Sequence, residues 1–455
     1  MMNRRELLLA GLAAPCLATG LTACSRPSAT PNAYLQGNYG PIESETTATA
    51  LQVTGTLPEE LIGRFLRNGP NPGKSSATDD HHWFTGDGMV HGVRLNAGRA
   101  EWYRSRLVGG SRANTNVVGH AGKTLAIVES GGLPQELGFE LDSLGDGSNI
   151  GGGFSAHPKV DPETNELHAM CYDWANLRDH VRYVVIGADG AKKSELQIPL
   201  PGMTMIHDMS LTRNYAVIYD LPVTLSLLAL GTGSSFPFRW DAEYEPRVGL
   251  LPRQGTAAEI IWCPVTPNYV FHPMNAYDDA DGNVVIDLVR YDRMFLEDIR
   301  GPFGDSLPRL DRWTINPSTR RVSEETIDSR AQEFPRCHPA LNGKAYRYGY
   351  AVTFADYGFP SIVKHDLQSG TATELSMGTG RHSGEPVFVP RANATAEDDG
   401  FLITYVFDGN NNTSELIVLD ALDLARPPIA KVHLPVRVPY GFHGNWVPDS
   451  DVRPV

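Results

Sequence analysis

Four of the fourteen histidines share a setting suited to metal binding. His157 follows Phe154-Ser155-Ala156 and precedes Pro158. His207 follows Met205-Ile206 and precedes Asp208. His272 lies between Phe271 and Pro273, and His443 between Phe442 and Gly444. Each follows a small or apolar residue and is followed by Pro, Asp or Gly, where a strand would stop. Neutral imidazoles suit Fe, Zn, Cu or Ni. An all-histidine set leaves the charge of a divalent ion unbalanced, so carboxylates are expected behind the rings to hold the distal N–H groups. Glu129 in Ala126-Ile127-Val128-Glu129, Glu333 in Glu333-Phe334-Pro335 and Glu385 in Gly384-Glu385-Pro386 stand in apolar or Pro-flanked contexts. A carboxylate buried there is costly unless paired. The histidines are too far apart to form a local metal motif. A lone histidine in a strand protein is usually a satisfied core or surface residue, and a lone glutamate beside a turn is usually exposed.

To meet, these residues need strand ends that converge on an axis. Short strands bounded by turns fill the chain after residue 45. Val181–Ile186, Asn283–Leu288 and Phe401–Phe407 read as strands. Asp-Gly pairs, strong hairpin signals, begin at 87, 146, 189, 281, 399 and 408. Helical signals are few: Pro58–Leu61 could start a short helix, and Leu225–Leu230 is apolar but ambiguous. With 45 Gly and 33 Pro among 455 residues, the chain is turn-rich. An all-β propeller or large sandwich is the expected architecture, with strand ends from several blades pointing inward.

The chain carries 39 Lys plus Arg against 53 Asp plus Glu, a net charge of −14. That disfavours a nucleic-acid binder, which needs basic surface. The 41% hydrophobic and 20% charged fractions are those of a globular protein. Five cysteines without a C-x-x-C pair do not make a disulfide scaffold or zinc cluster. Cys171, Cys263 and Cys337 are expected as small apolar residues.

Residues 1–23 read as an export signal. Arg4 and Arg5 precede an apolar run, Leu7–Leu21, too short for a comfortable membrane span. The paired arginines loosely resemble a twin-arginine signal, although Asn3 and Glu6 are not its favoured neighbours. The run closes on Leu21-Thr22-Ala23-Cys24, which resembles a bacterial lipobox and implies a lipidated Cys24. Residues 24–40, polar and rich in Pro, Gly and Ser, are expected to be a tether. A single domain is expected over 41–455. The protein would then be exported and held on a membrane facing the periplasm or the cell exterior.

The local strings also resemble a known family. Phe65-Leu66-Arg67-Asn68-Gly69-Pro70-Asn71-Pro72 and His82-Trp83-Phe84-Thr85-Gly86-Asp87-Gly88-Met89-Val90-His91 are similar to opening signatures of the carotenoid cleavage oxygenases. The four histidine contexts, Arg347-Tyr348-Gly349-Tyr350 and Glu385-Pro386-Val387-Phe388-Val389-Pro390 continue the resemblance in order, from about residue 40 to Pro448. It implies a seven-bladed β-propeller with a helical cap over the iron-bearing face. It implies one Fe2+ on His157, His207, His272 and His443. Glu129, Glu333 and Glu385 would stand behind the rings, and chain order pairs them with His207, His272 and His443, leaving His157 without a glutamate. The implied reaction is O2-dependent cleavage of a C=C bond in a carotenoid or apocarotenoid, giving aldehyde or ketone products. Phe84, Phe271 and Phe442 are candidates to line the substrate tunnel, core packing being the alternative for each. The lignostilbene-cleaving branch typically has a lysine immediately before the first of these glutamates; here that residue is Val128, which favours a polyene over a hydroxystilbene. A stilbene dioxygenase and a non-catalytic carotenoid-binding propeller are the alternatives. Residues 221–238, with Leu221–Leu230 and Phe236-Pro237-Phe238, are expected at the cap and tunnel mouth, where they would dip into the membrane. No obligate protein partner is implied.

Overall fold

Alternating apolar residues and closely spaced turns leave each short strand one face to bury and two edges to pair. The chain resolves this by stacking four-stranded antiparallel sheets around an axis. The structure, a computed structural model, describes residues 31–73, 80–109, 113–147 and 153–452. The lipobox cysteine, the paired arginines and residues 24–30 of the expected tether lie outside these residues.

Seven sheets form the blades of a β-propeller. Blade 1 runs outward from Gly444–Pro448 through Gly63–Asn71, Asp87–Asn96 and Arg99–Leu107 to Thr46–Ala48. Blades 2 to 6 follow in chain order, with innermost strands Asn116–His120, Lys159–Val160, Met209–Leu211, Tyr269–Asp278 and Gln332–Cys337. Blade 7 starts from Arg381–Ser383 and Val387–Pro390 and ends on Gln52–Gly55. The ring is therefore closed twice. An N-terminal strand completes blade 7 by pairing Gln52–Gly55 with Ala430–His433. A C-terminal strand completes blade 1 by pairing Gly444–Pro448 with Gly63–Arg67. Closure leaves no blade able to drift from its neighbours.

The three strands read from the sequence form, as His180–Ile186, Val284–Tyr291 and Gly400–Asp408. The Asp-Gly signals divide. Those at 189 and 281 make hairpin turns, with Gly190 and Gly282 at φ of 82° and 79°. The pair at 408 opens the turn between Gly400–Asp408 and Thr413–Asp420. Asp87-Gly88 instead lies within a strand, paired with Asn71 and Pro70. Its glycine serves close approach: a Cβ at Gly88 would sit 2.1 Å from the Ala113 carbonyl oxygen. Pro58–Leu61 forms a turn rather than a helix. Leu225 ends a strand, and Leu227–Gly231 is the one α-helix among the described residues, capped by the Ser226 hydroxyl.

The cap is accordingly built mostly from loops. It contains that short helix, the hairpin Val223–Leu225/Phe238–Trp240 and loops around residues 81–86 and 293–306. The tether expected over 24–40 is corrected at its C-terminal end. Residues from Asn32 onward form two 3-10 turns, Ala33–Leu35 and Gly37–Tyr39, that belong to the cap. Tyr34 stacks on Trp83 at 5.7 Å, and Tyr39 meets Trp83 and Tyr440 edge-on at 5.1 and 4.9 Å. Asn32 donates to the His81 carbonyl at 2.7 Å, and Tyr440 N–H donates to the Asn38 carbonyl. The polar composition of the segment hid two tyrosines that bury almost completely. Tyr39→Ala should cost about 3 kcal/mol, as for a buried aromatic, and lower the thermal unfolding midpoint. A mobile tether would leave that midpoint unchanged.

Candidate metal centre

The inner strands carry the chemistry because their free edges face the axis. Proline, which cannot donate to a ladder, is tolerated on such an edge and interrupts the pairing. His157-Pro158, His272-Pro273, Glu333-Phe334-Pro335 and Glu385-Pro386 all use this device. In Tyr269–Asp278 the register breaks between Val270 and Pro273, around His272. In Gln332–Cys337 it breaks between Glu333 and Arg336, with Phe334 at φ 53°. His157, His207 and His443 lie just ahead of the innermost strands of blades 3, 4 and 1. Glu129 follows Lys123–Ile127 of blade 2, and Glu385 lies between the two inner strands of blade 7. Each of the seven blades thus sends one residue to the axis: four histidines and three glutamates.

The four histidines offer ring nitrogens that all lie within 4.8 Å of one another. His207 Nε2 and His272 Nε2 are 3.2 Å apart. The ring centroids of His157 lie 4.4 Å from those of both His207 and His443. Behind them, His207 Nδ1 is 2.9 Å from Glu129 Oε1, although not aligned as a linear hydrogen bond. His272 Nδ1 donates to Glu333 Oε2 at 2.6 Å, and His443 Nδ1 to Glu385 Oε1 at 3.0 Å. With Nδ1 thus occupied, Nε2 faces the centre of the cluster. His157 has no glutamate. Its Nδ1 lies 3.7 Å from Asp208 Oδ2, beyond hydrogen-bond distance.

The glutamates are themselves held. The Tyr172 hydroxyl donates to Glu129 at 2.6 Å, and the Tyr291 hydroxyl to Glu333 at 2.9 Å. Arg336 Nε is 3.0 Å from Glu385 Oε1, and Gly444 N–H donates to Glu385 Oε2 at 2.9 Å. Asn68 fixes the backbone beside His443: its N–H donates to the His443 carbonyl and its carbonyl accepts from Phe442 N–H. Chain order alone did not single out Tyr172, Tyr291, Arg336 or Asp208, because their partners are remote in sequence.

Burial holds His157, His272 and His443 below the ordinary imidazole pKa. Around His157 the other histidines add to this, whereas Glu333 and Glu385 oppose it at their partners. Neutral rings are the form a metal requires. Burial alone would raise the Glu385 carboxyl, but Arg336, then His443 and Gly444 N–H, outweigh it and bring it down to about 2. The charges suit a dication. Three carboxylates less one guanidinium leave two negative charges behind four neutral rings, and His157 Nε2 is buried without a protein partner. The residues therefore fit a divalent ion with affinity for imidazole.

Two chambers meet at this cluster. On the cap side lies an apolar cavity of about 260 Å³. Phe84, Phe271 and Phe442 line it, as do Phe236 and Phe238 of the expected tunnel-mouth segment, together with Trp83, Phe303 and Phe334, which the sequence did not distinguish from core. Val128 is also on its wall, and no lysine or arginine is among the described residues that line it. On the opposite side is a polar axial chamber of about 250 Å³, flanked by Lys159, Asp208, Arg336 and Asn445. Cys171 and Cys263 are buried and Cys337 is half-buried, all as free thiols.

A sequence profile described as retinal pigment epithelial membrane protein matches residues 39–112 and 108–448. A carotenoid cleavage oxygenase of Mycobacterium tuberculosis is 42% identical, over 92% of this chain and 98% of its own. An apocarotenoid-15,15'-oxygenase of Synechocystis is 30% identical, over 93% and 97%. Among solved structures, the lignostilbene dioxygenase of Pseudomonas brassicacearum superposes with a TM-score of 0.83 at 26% identity, covering 93% of this chain and all of its own.

Glu333→Gln should weaken divalent-metal affinity by about 10–100-fold, as loss of a carboxylate behind a metal-bound histidine does; competition with a chelator measures it. Glu385 has a lower pKa folded than unfolded. Its contribution is present above the unfolded value of about 4.3 and is lost as pH falls toward the folded value. Arg336→Met removes the main opposing charge, so acid unfolding, followed by circular dichroism, should move to higher pH.

Proposed function

The chain belongs to the retinal pigment epithelial membrane protein family and is an oxygenase, and from that premise we propose that it cleaves a C=C bond of a carotenoid or apocarotenoid with O2. The reaction consumes one O2 per double bond and yields two carbonyl products, one oxygen atom in each. The observation that carries this reading is the aromatic cavity that ends on the histidine cluster with no cationic side chain on its described walls. Such a cavity suits an uncharged conjugated chain and, among the described residues, offers no cationic side chain to a phenolate.

The ion best suited is Fe2+, held by His157, His207, His272 and His443; when bound, it supplies the one-electron chemistry that lets O2 react with an alkene. The chain's own residues do the rest. Burial keeps the imidazoles neutral, and Glu129, Glu333 and Glu385 hold the rings in orientation. Phe84, Phe271 and Phe442 exclude water and place the double bond beside the cluster.

A lignostilbene-type activity is the second reading, favoured by the close superposition on the Pseudomonas brassicacearum enzyme. Val128, beside Glu129, argues against it, since a valine cannot hold a phenol oxygen. The iron-loaded protein incubated with carotenoids, apocarotenoids and hydroxystilbenes should yield aldehydes or ketones from the polyenes, identified by mass. His272→Ala should abolish this without unfolding the chain. Cleavage of the hydroxystilbenes alone would favour the second reading, and binding of polyenes without cleavage would make this a carotenoid-binding propeller.

The membrane reading also belongs here. No helix among the described residues is long and apolar enough to cross a membrane. Leu227 and Leu228 on the cap helix are 62% and 79% exposed, while Phe236 and Phe238 of the same segment line the cavity. Residues 221–238 thus join the surface to the cavity, which suits uptake of a lipid-soluble substrate from a bilayer. A lipidated Cys24, after export, would hold the protein there. In a form lacking the acyl chain, Leu227→Ser with Leu228→Ser should reduce sedimentation with liposomes.

A further inference from the structure

The two chambers are not equivalent with respect to the histidines. His207 borders only the aromatic cavity, and His157 borders only the axial chamber; His272 and His443 border both. A hydrated divalent cation crossing the aromatic cavity would shed water against mostly apolar walls, with only scattered neutral polar groups such as Thr85, Asn114, Ser130 and Ser235 to replace it. The axial chamber has the more polar lining, with Asn116, Lys159, Asp208, Arg336, Asn342 and Asn445 among its walls. Its two cations are each matched by a carboxylate: Lys159 by Asp208, and Arg336 by Glu385.

His157 is also the least supported of the four rings. The other Nδ1 atoms lie 2.6 to 3.0 Å from a glutamate oxygen. The nearest carboxylate to His157 is turned elsewhere. Asp208 Oδ1 is 2.8 Å from Lys159 Nζ and accepts from Met209 N–H at 2.6 Å, while Oδ2 accepts from Lys159 at 2.9 Å. Lys159 thus holds Asp208 just short of His157. An imidazole without a carboxylate behind it is a weaker donor and is freer to turn.

We propose that the metal ion reaches and leaves the cluster through the axial chamber, past His157, and that the Lys159–Asp208 pair sets how readily His157 releases it. Asp208 and Lys159 are positioning residues acting through His157. The inference rests on the reading of the four histidines as ligands of a divalent ion.

The test follows iron release from the anaerobically Fe2+-loaded protein into a coloured ferrous chelator. Asp208→Asn, which removes the carboxylate and leaves the Lys159 charge, should speed release on the order of tenfold. Lys159→Met should slow it, because Asp208 is freed to accept from His157 Nδ1. A purely structural role for the pair would make both variants faster. Val160→Trp, at a half-exposed wall position of the axial chamber, should slow both uptake and release, whereas Ser235→Trp at the exposed rim of the aromatic cavity should alter neither. Slowing by Ser235→Trp rather than Val160→Trp, or faster release from Lys159→Met, would overturn the proposal. A parent protein that binds no iron would overturn the ligand reading with it; bound iron with unchanged rates in every variant would overturn only the route.

Discussion

Closure of the ring is the constraint on which the rest depends. Seven residues reach one axis only if seven sheets keep their angular places, and two strands from opposite ends of the chain enforce this. Gly444–Pro448 is both the strand that closes blade 1 and the continuation of His443. Completion of the fold and arrival of the fourth histidine are therefore one event. A slip of one residue in that pairing would turn every side chain of the strand to its other face. The backbone bonds between Asn68 and the Phe442–His443 segment oppose such a slip at the position where it would matter most.

Charge is the second organising quantity. Three glutamates buried or half-buried at the centre of a protein are costly, and each is met by specific donors: Tyr172, Tyr291 and the Arg336 guanidinium. The remaining imbalance has the sign and size of a divalent cation. The polarity of the two chambers divides the labour around it. Aromatic walls on one side suit an apolar chain, and paired charges on the other suit water and ions.

The main features of the axis were legible in the sequence because they are local. A histidine or glutamate followed by proline or glycine at the end of an apolar run is a strand-end signal, and it marks His157, His272, Glu385 and His443; His207, Glu129 and Glu333 stood out by their apolar or Pro-flanked settings instead. Strands such as His180–Ile186 were legible for the same reason. Asp87-Gly88 was misleading because the turn signal depends only on the dipeptide. Its use depends on the Ala113 carbonyl, which packs against Gly88 from another part of the chain. The end of the expected tether was misread because composition averages over a segment, whereas Tyr34 and Tyr39 act singly by packing on Trp83 and Tyr440.

By itself, then, the sequence determined that this chain is built of short strands, which residues could serve a metal, and which family it resembles. Motifs of a few consecutive residues carry that information. Only the tertiary structure decided that the histidines converge within 4.8 Å, that Lys159 draws Asp208 away from His157, and that an aromatic cavity and a polar chamber meet at the cluster. Those facts are distances between blades. They are set by ring closure and packing, to which no single stretch of chain has access.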